Sequence, residues 1–109
     1  MEEDDGVAFF HVSGEVDLFT APLLRDQLVR LVNGGKRDVV VLLAEVTYMD
    51  MAGIHALEHC SRRAQGVGPR LVLSSPSPIV RRVFEIVGMQ RQVPVLPTRT
   101  AALHHFLEG

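Results

Sequence analysis

Apolar positions along this chain alternate between continuous runs and helical stripes. Val7 to Val12 is β-rich, with Phe9, Phe10 and Val12 apolar, and reads as a first strand. Ser13-Gly14 breaks it, and Glu15-Val16-Asp17 follows as a second short extended piece. Leu24, Leu28, Leu31 and Val32 then recur at helical spacing. Thr20 stands where an N-cap stands, Pro22 fits the first turn, and Gly34-Gly35 stops the helix. Asp26 and Arg30 form an i,i+4 pair on its outer side.

Val39 to Leu43 is apolar without alternation, the pattern of a strand covered on both faces. A short loop leads to Met49-Asp50-Met51-Ala52-Gly53-Ile54, and a second helix is predicted from about Met51 to about Gln65. Gly53, Leu57, Cys60 and Ala64 share one face of it, and Glu58 and Arg62 pair outside. Gly66-Val67-Gly68-Pro69 ends that helix, and Leu71-Val72-Leu73 is the next strand. Ser77 followed by Pro78 marks a third helix start, with Ile79, Val80, Val83, Phe84 and Val87 apolar and Gly88 just past its end. Val93-Pro94-Val95 is at most a short edge strand, because proline removes a ladder donor. Thr98 or Thr100 caps a last helix that buries Leu103, Phe106 and Leu107. Strands alternating with helices predict an α/β domain, with parallel pairing of the strands at 39–43 and 71–73 through right-handed crossovers.

Composition narrows the class. A length of 109 residues fits one domain, here taken as 7–109 after an acidic start over 1–6 that frays into solvent. Hydrophobic residues make up 47% and charged residues 22%, the balance of a chain that folds. A net charge of −2 gives no basis for gripping nucleic acid. The one cysteine, Cys60, cannot close an intrachain disulfide. No apolar run reaches the roughly 20 residues of a membrane helix. The start carries acids where a signal peptide carries bases. The expected setting is the cytoplasm, with no membrane contact.

Candidate chemistry is sparse. Asp50 can cap the second helix, its carboxylate accepting from the amides of Ala52 or Gly53 and facing the positive helix end. Gly53 in the first helical turn costs roughly 1 kcal/mol relative to alanine. Close packing of helix on sheet is the first explanation for it, and close approach of a partner backbone the second. His55 and His59 lie four apart but have no third or fourth ligand nearby, so they read as solvated rather than as a metal site. Cys60 projects toward the sheet and reads as a small buried hydrophobe. No nucleophile-base arrangement and no glycine loop of phosphate-binding spacing is present. No enzyme activity, metal or cofactor is expected.

Three blocks in register carry a family resemblance. His11-Val12-Ser13-Gly14-Glu15-Val16-Asp17 resembles a strand followed by an SGELD signature. Val39 through Gly53 resembles an apolar strand leading to a DSSG motif. The third block is Ser75-Pro76-Ser77-Pro78 with Val83-Phe84 and Val87-Gly88-Met89. Together, over about Val7 to Leu107, they resemble the STAS domain of bacterial anti-sigma factor antagonists. The resemblance implies a four- to five-stranded mixed sheet with about four helices packed against it.

It also implies a function. Such antagonists bind an anti-sigma factor with a histidine-kinase-like ATPase fold and so free a sigma factor for transcription. The kinase then phosphorylates a Ser or Thr directly after the motif's aspartate, and the added charge breaks the contact. In this chain that acceptor position is Met51 and the next is Ala52, and neither can carry a phosphate. Glu45 and the Thr47-Tyr48 pair leave a displaced acceptor open. The resemblance places the protein contact on the stretches Asp17 to Thr20 and Tyr48 to His55 and on the exposed face of the second helix, with Asp17, Phe19, Thr20, Tyr48, Asp50, Met51, Ala52, Gly53, Ile54 and His55 as its residues. The expected assembly is a monomer or weak homodimer. The alternative is a scaffold or accessory subunit of a larger sensor or lipid-transport complex.

Overall fold

A computed structural model describes residues 2–4, 6–35 and 37–108. Along the chain run β1 (Glu2–Asp4), β2 (Val7–Val16), α1 (Ala21–Asn33), β3 (Asp38–Met49), α2 (Met51–Val67), β4 (Leu71–Ser74), α3 (Pro78–Val87), β5 (Val95–Leu96) and α4 (Arg99–Glu108). The strands form one five-stranded sheet in sequence order. β1 pairs antiparallel with β2, and β2 through β5 are parallel. This is the mixed sheet with four helices that the sequence pattern and the resemblance imply.

The run at Val39–Leu43 explains the layering. Val39, Val41 and Leu43 point into the larger core, under Leu24, Leu28 and Val32 of α1, Leu57, Cys60 and Ala64 of α2, and Val80 and Phe84 of α3. Val40 and Leu42 point the other way, onto Phe9, Val72, Ala102 and Phe106, where α4 covers the sheet. A strand sandwiched between helices has no polar face to show. Cys60 sits in the larger core as the small hydrophobe its position predicts, and burial pushes its thiol up to about 11.

Several local expectations are corrected. The acidic start does not simply fray: Glu2–Asp4 forms the outer strand β1, and the Glu3 carboxylate meets the Arg37 guanidinium. Met1 and Asp5 of that stretch lie outside the described residues. Ser13-Gly14 does not break the first strand. β2 runs on to Val16, with Gly14 at φ 77° and two jumps in register, His11 to Ser13 and Gly14 to Glu15. Each jump leaves one extra residue on β3, a bulge pattern that bends and twists this end of the pair. β3 likewise extends through Met49, so Thr47 lies in a strand rather than a loop. Ile79 is exposed, and of α4's expected core residues Phe106 is buried, Leu103 half-buried and Leu107 exposed. Thr98 is the residue that caps α4, accepting from the Ala101 amide at 3.0 Å.

Two cap hydroxyls act elsewhere. Ser77 precedes α3, but its Oγ donates to the Val46 carbonyl at 2.7 Å and makes no cap bond. Thr20 precedes α1, yet its Oγ1 donates back to the Glu15 carbonyl at 2.8 Å. Both ties fasten a helix start to the C-terminal end of a strand, the end where the candidate site lies.

Candidate protein-binding surface

The C-terminal ends of β2 and β3 lie side by side, Val16 opposite Met49, and the Asp50 amide donates to the Val16 carbonyl at 3.2 Å. The turn after β2 therefore abuts the start of α2. Asp50 is the α2 N-cap, in extended conformation, with Oδ1 accepting from the Ala52 amide at 2.9 Å and the Gly53 amide at 3.4 Å. This is the cap that the sequence predicts, and such caps contribute about 1 kcal/mol. The carboxylate is held by the helix it starts, so the next side chain, Met51, faces solvent and is 48% exposed.

Asp17 organises the other half. Its Oδ1 accepts from the amides of Phe19 and Thr20, both at 3.0 Å, while Thr20 Oγ1 accepts from the Asp17 amide at 2.9 Å. The Thr20 amide is the main reason the Asp17 carboxyl lies below the usual carboxylate range, with Phe19 adding to it. This closed knot holds the intervening side chains out: Leu18 is 69% exposed and Phe19 86%. Leu23, one turn into α1, is exposed as well. Exposed apolar side chains grouped on one surface are a feature of protein interaction sites.

The ten contact residues named from sequence separate into three groups. Asp17, Phe19, Thr20, Asp50, Met51, Ala52 and His55 gather on this rim, with Phe19, Thr20, Met51 and His55 exposed and the others half-buried. Tyr48 is exposed but pairs with Glu15 on the strand, one position from the inward-facing Met49, and so projects from the opposite face of the sheet. Gly53 and Ile54 are buried and shape the rim from beneath. A Cβ on Gly53 would stand 2.9 Å from Val16 Cγ1, so close packing of α2 on the sheet accounts for the glycine. Leu18 lies inside the stretch Asp17 to Thr20 expected to make the contact, whereas Leu23 lies outside it; the signal for Leu23 is a leucine one position off the α1 stripe.

His55 and His59 are exposed on α2, and among the described residues no group of three or more His, Cys, Asp or Glu could hold a metal ion. Among those residues no helix is long and apolar enough to cross a membrane. Between α1 and α2 runs a groove of about 380 Å³ that includes Leu18, Ala52 and His55 of the rim.

A family model described as STAS domain matches residues 1–102. A Bordetella bronchiseptica protein named as an anti-sigma factor antagonist, BtrV, is 33% identical over 106 residues, covering 97% of this chain and 91% of its own. The anti-sigma-B factor antagonist of Bacillus subtilis is 32% identical over 80 residues, 73% of this chain and 72% of its own. Among solved structures, an anti-sigma factor antagonist from Mycobacterium paratuberculosis superimposes with a TM-score of 0.86 at 27% identity, covering 95% of this chain and 88% of its own.

Proposed function

We propose that this chain, which belongs to the STAS domain family, is an anti-sigma factor antagonist without a phospho-switch at the usual position. Its partner is an anti-sigma factor with a histidine-kinase-like ATPase fold, and binding releases the sigma factor that this partner holds. The observation that carries the reading is the pair Leu18 and Phe19, held in water by the Asp17–Thr20 knot beside exposed Met51. The relatives described above carry the name anti-sigma factor antagonist.

The roles divide by physics. Phe19, Leu18 and Met51 supply apolar area, and fully burying a side chain of this kind contributes about 1.5–3 kcal/mol. Methionine adapts to an irregular surface because it is unbranched and soft. Asp17, Thr20 and Asp50 hold the rim rigid, which lowers the entropy lost on docking. His55 borders the contact on α2. Met51 offers no hydroxyl, so a kinase partner cannot add charge there, and the antagonist stays active while the partner holds ATP. This work takes place in the cytoplasm and needs no cofactor.

The test is calorimetry of the purified protein against the anti-sigma kinases of its source organism. A Kd in the micromolar range or tighter is expected for at least one, weakened about tenfold or more by Phe19→Ala, which removes roughly 1.5–3 kcal/mol of apolar burial. No heat of binding with any of them contradicts the reading.

A further inference from the structure

The groove between α1 and α2 has a charge of its own. Its floor is small and apolar, formed by Ala21, Ala52 and Ala56, and its walls carry Arg25 from α1 and His55, His59 and Arg62 from α2. No carboxylate lines it. Asp26 and Glu58, the single acids of these two helices, both stand outside the lining. Arg25 does reach Asp26 at 3.5 Å, but both side chains are largely in water and such a contact neutralises little. In a chain of net charge −2, this is a local cationic trough.

We infer that this groove docks an acidic segment of a protein partner. Carboxylates of the segment meet the two guanidinium groups, and an alanine-sized or aliphatic side chain lies on the floor between them. Arginine suits the role because its fork takes a carboxylate through two hydrogen bonds. The occupant is a peptide rather than a nucleic acid: no Phe, Tyr or Trp lines the groove to stack a base, and two guanidinium groups around an alanine floor suit discrete carboxylates better than a continuous phosphate chain. Leu18, Ala52 and His55 also belong to the proposed contact rim, so one partner can cover both surfaces. Assigning the segment to the anti-sigma factor rests on the function proposed above, whereas the groove's preference for acidic peptide does not.

The experiment is an NMR titration of the full-length, isotope-labelled protein with a capped oligoglutamate peptide. Amide shifts should move around the groove on α1 and α2, and affinity should fall as salt is raised. Arg25→Glu with Arg62→Glu should weaken binding about tenfold or more. These side chains are exposed, and a well-dispersed spectrum of the variant checks its fold. Arg81→Glu with Arg82→Glu, on exposed positions of α3, should stay within about twofold of wild type. Shifts spread equally over every arginine-bearing face, indifference to the α1–α2 pair, or equally tight binding of oligothymidylate in the groove would each overturn the inference. The titration uses no anti-sigma factor, so it stands apart from the test of function. An anti-sigma factor that binds wild type and the Arg25/Arg62 variant equally overturns the assignment of the segment to that partner.

Discussion

Gly53 lies directly on Val16: a Cβ built at Gly53 would sit 2.9 Å from Val16 Cγ1 and 3.1 Å from the Val16 carbonyl oxygen. Met49 Cγ is closer still, at 2.7 Å. The first turn of α2 therefore rests on the ends of β2 and β3 with no room for a methyl group. Val16 and Met49 are themselves buried, and the Val16 carbonyl is already engaged by the Asp50 amide. The neighbours have little freedom to give.

Gly53→Ala should destabilise the protein. Overpacking costs about 1–3 kcal/mol, against roughly 1 kcal/mol gained in helix propensity. The net loss is up to about 2 kcal/mol, read from the urea midpoint. Because α2 must lift, partner binding should weaken with it. An alanine variant as stable as wild type contradicts this packing.

Ser77→Ala tests a bond that the sequence pattern hides. The Ser77 hydroxyl is buried and donates to the Val46 carbonyl at 2.7 Å, while the Ser77 amide donates to Leu43 at 3.2 Å. Removing the hydroxyl takes a donor from a buried carbonyl, a cost of about 1–3 kcal/mol. Since the hydroxyl makes no cap bond, the loss should appear in global stability while helix content by circular dichroism is unchanged.

Asp38 and Arg70 join the starts of β3 and β4. Arg70 Nη2 and Nε donate to Asp38 Oδ2 at 2.7 and 3.2 Å, and the Arg70 amide donates to Oδ1 at 2.9 Å. Burial pushes the Asp38 carboxyl up, but the bonds from Arg70 outweigh it and hold the group below its ordinary 3.8. A lowered folded value means that the unfolded chain takes up its proton first as pH falls. The stabilisation is therefore complete above the ordinary value of 3.8 and is lost as pH drops through the folded value. Arg70 is largely exposed, so the contribution is about 1 kcal/mol or less. Asp38→Asn should lower the urea midpoint slightly near neutral pH and flatten its decline below about pH 4. An acid limb as steep as wild type contradicts the pairing.

The parts of the fold that depend on local pattern were legible in the sequence. The unalternating run Val39–Leu43 foretold a strand covered on both faces, and Asp50 foretold a cap, because each follows from its own few residues. What was hidden is tertiary. Thr20 and Ser77 look like caps, but each hydroxyl is claimed by a strand carbonyl five and thirty-one residues away in sequence. Gly14 reads as a breaker, yet β2 continues through it, and the extra residues that bend the pair lie on the partner strand β3. Ile54 falls in the motif yet points inward, since a helix buries by angle rather than by motif membership. The cationic groove joins residues of two helices whose register on each other no linear spacing reveals.

In the proposed function the rim binds an anti-sigma kinase with no phospho-switch at Met51. The most direct measurement is calorimetry with that kinase after incubation with ATP, with intact mass determined on the same samples, for wild type and Met51→Ser. Wild type should keep its mass and its affinity. Met51→Ser should gain one phosphate and lose affinity by about tenfold or more, since the new charge is buried against the partner beside Asp50. A phosphate on wild type, at Thr47 or elsewhere, with loss of binding, would contradict the proposed function.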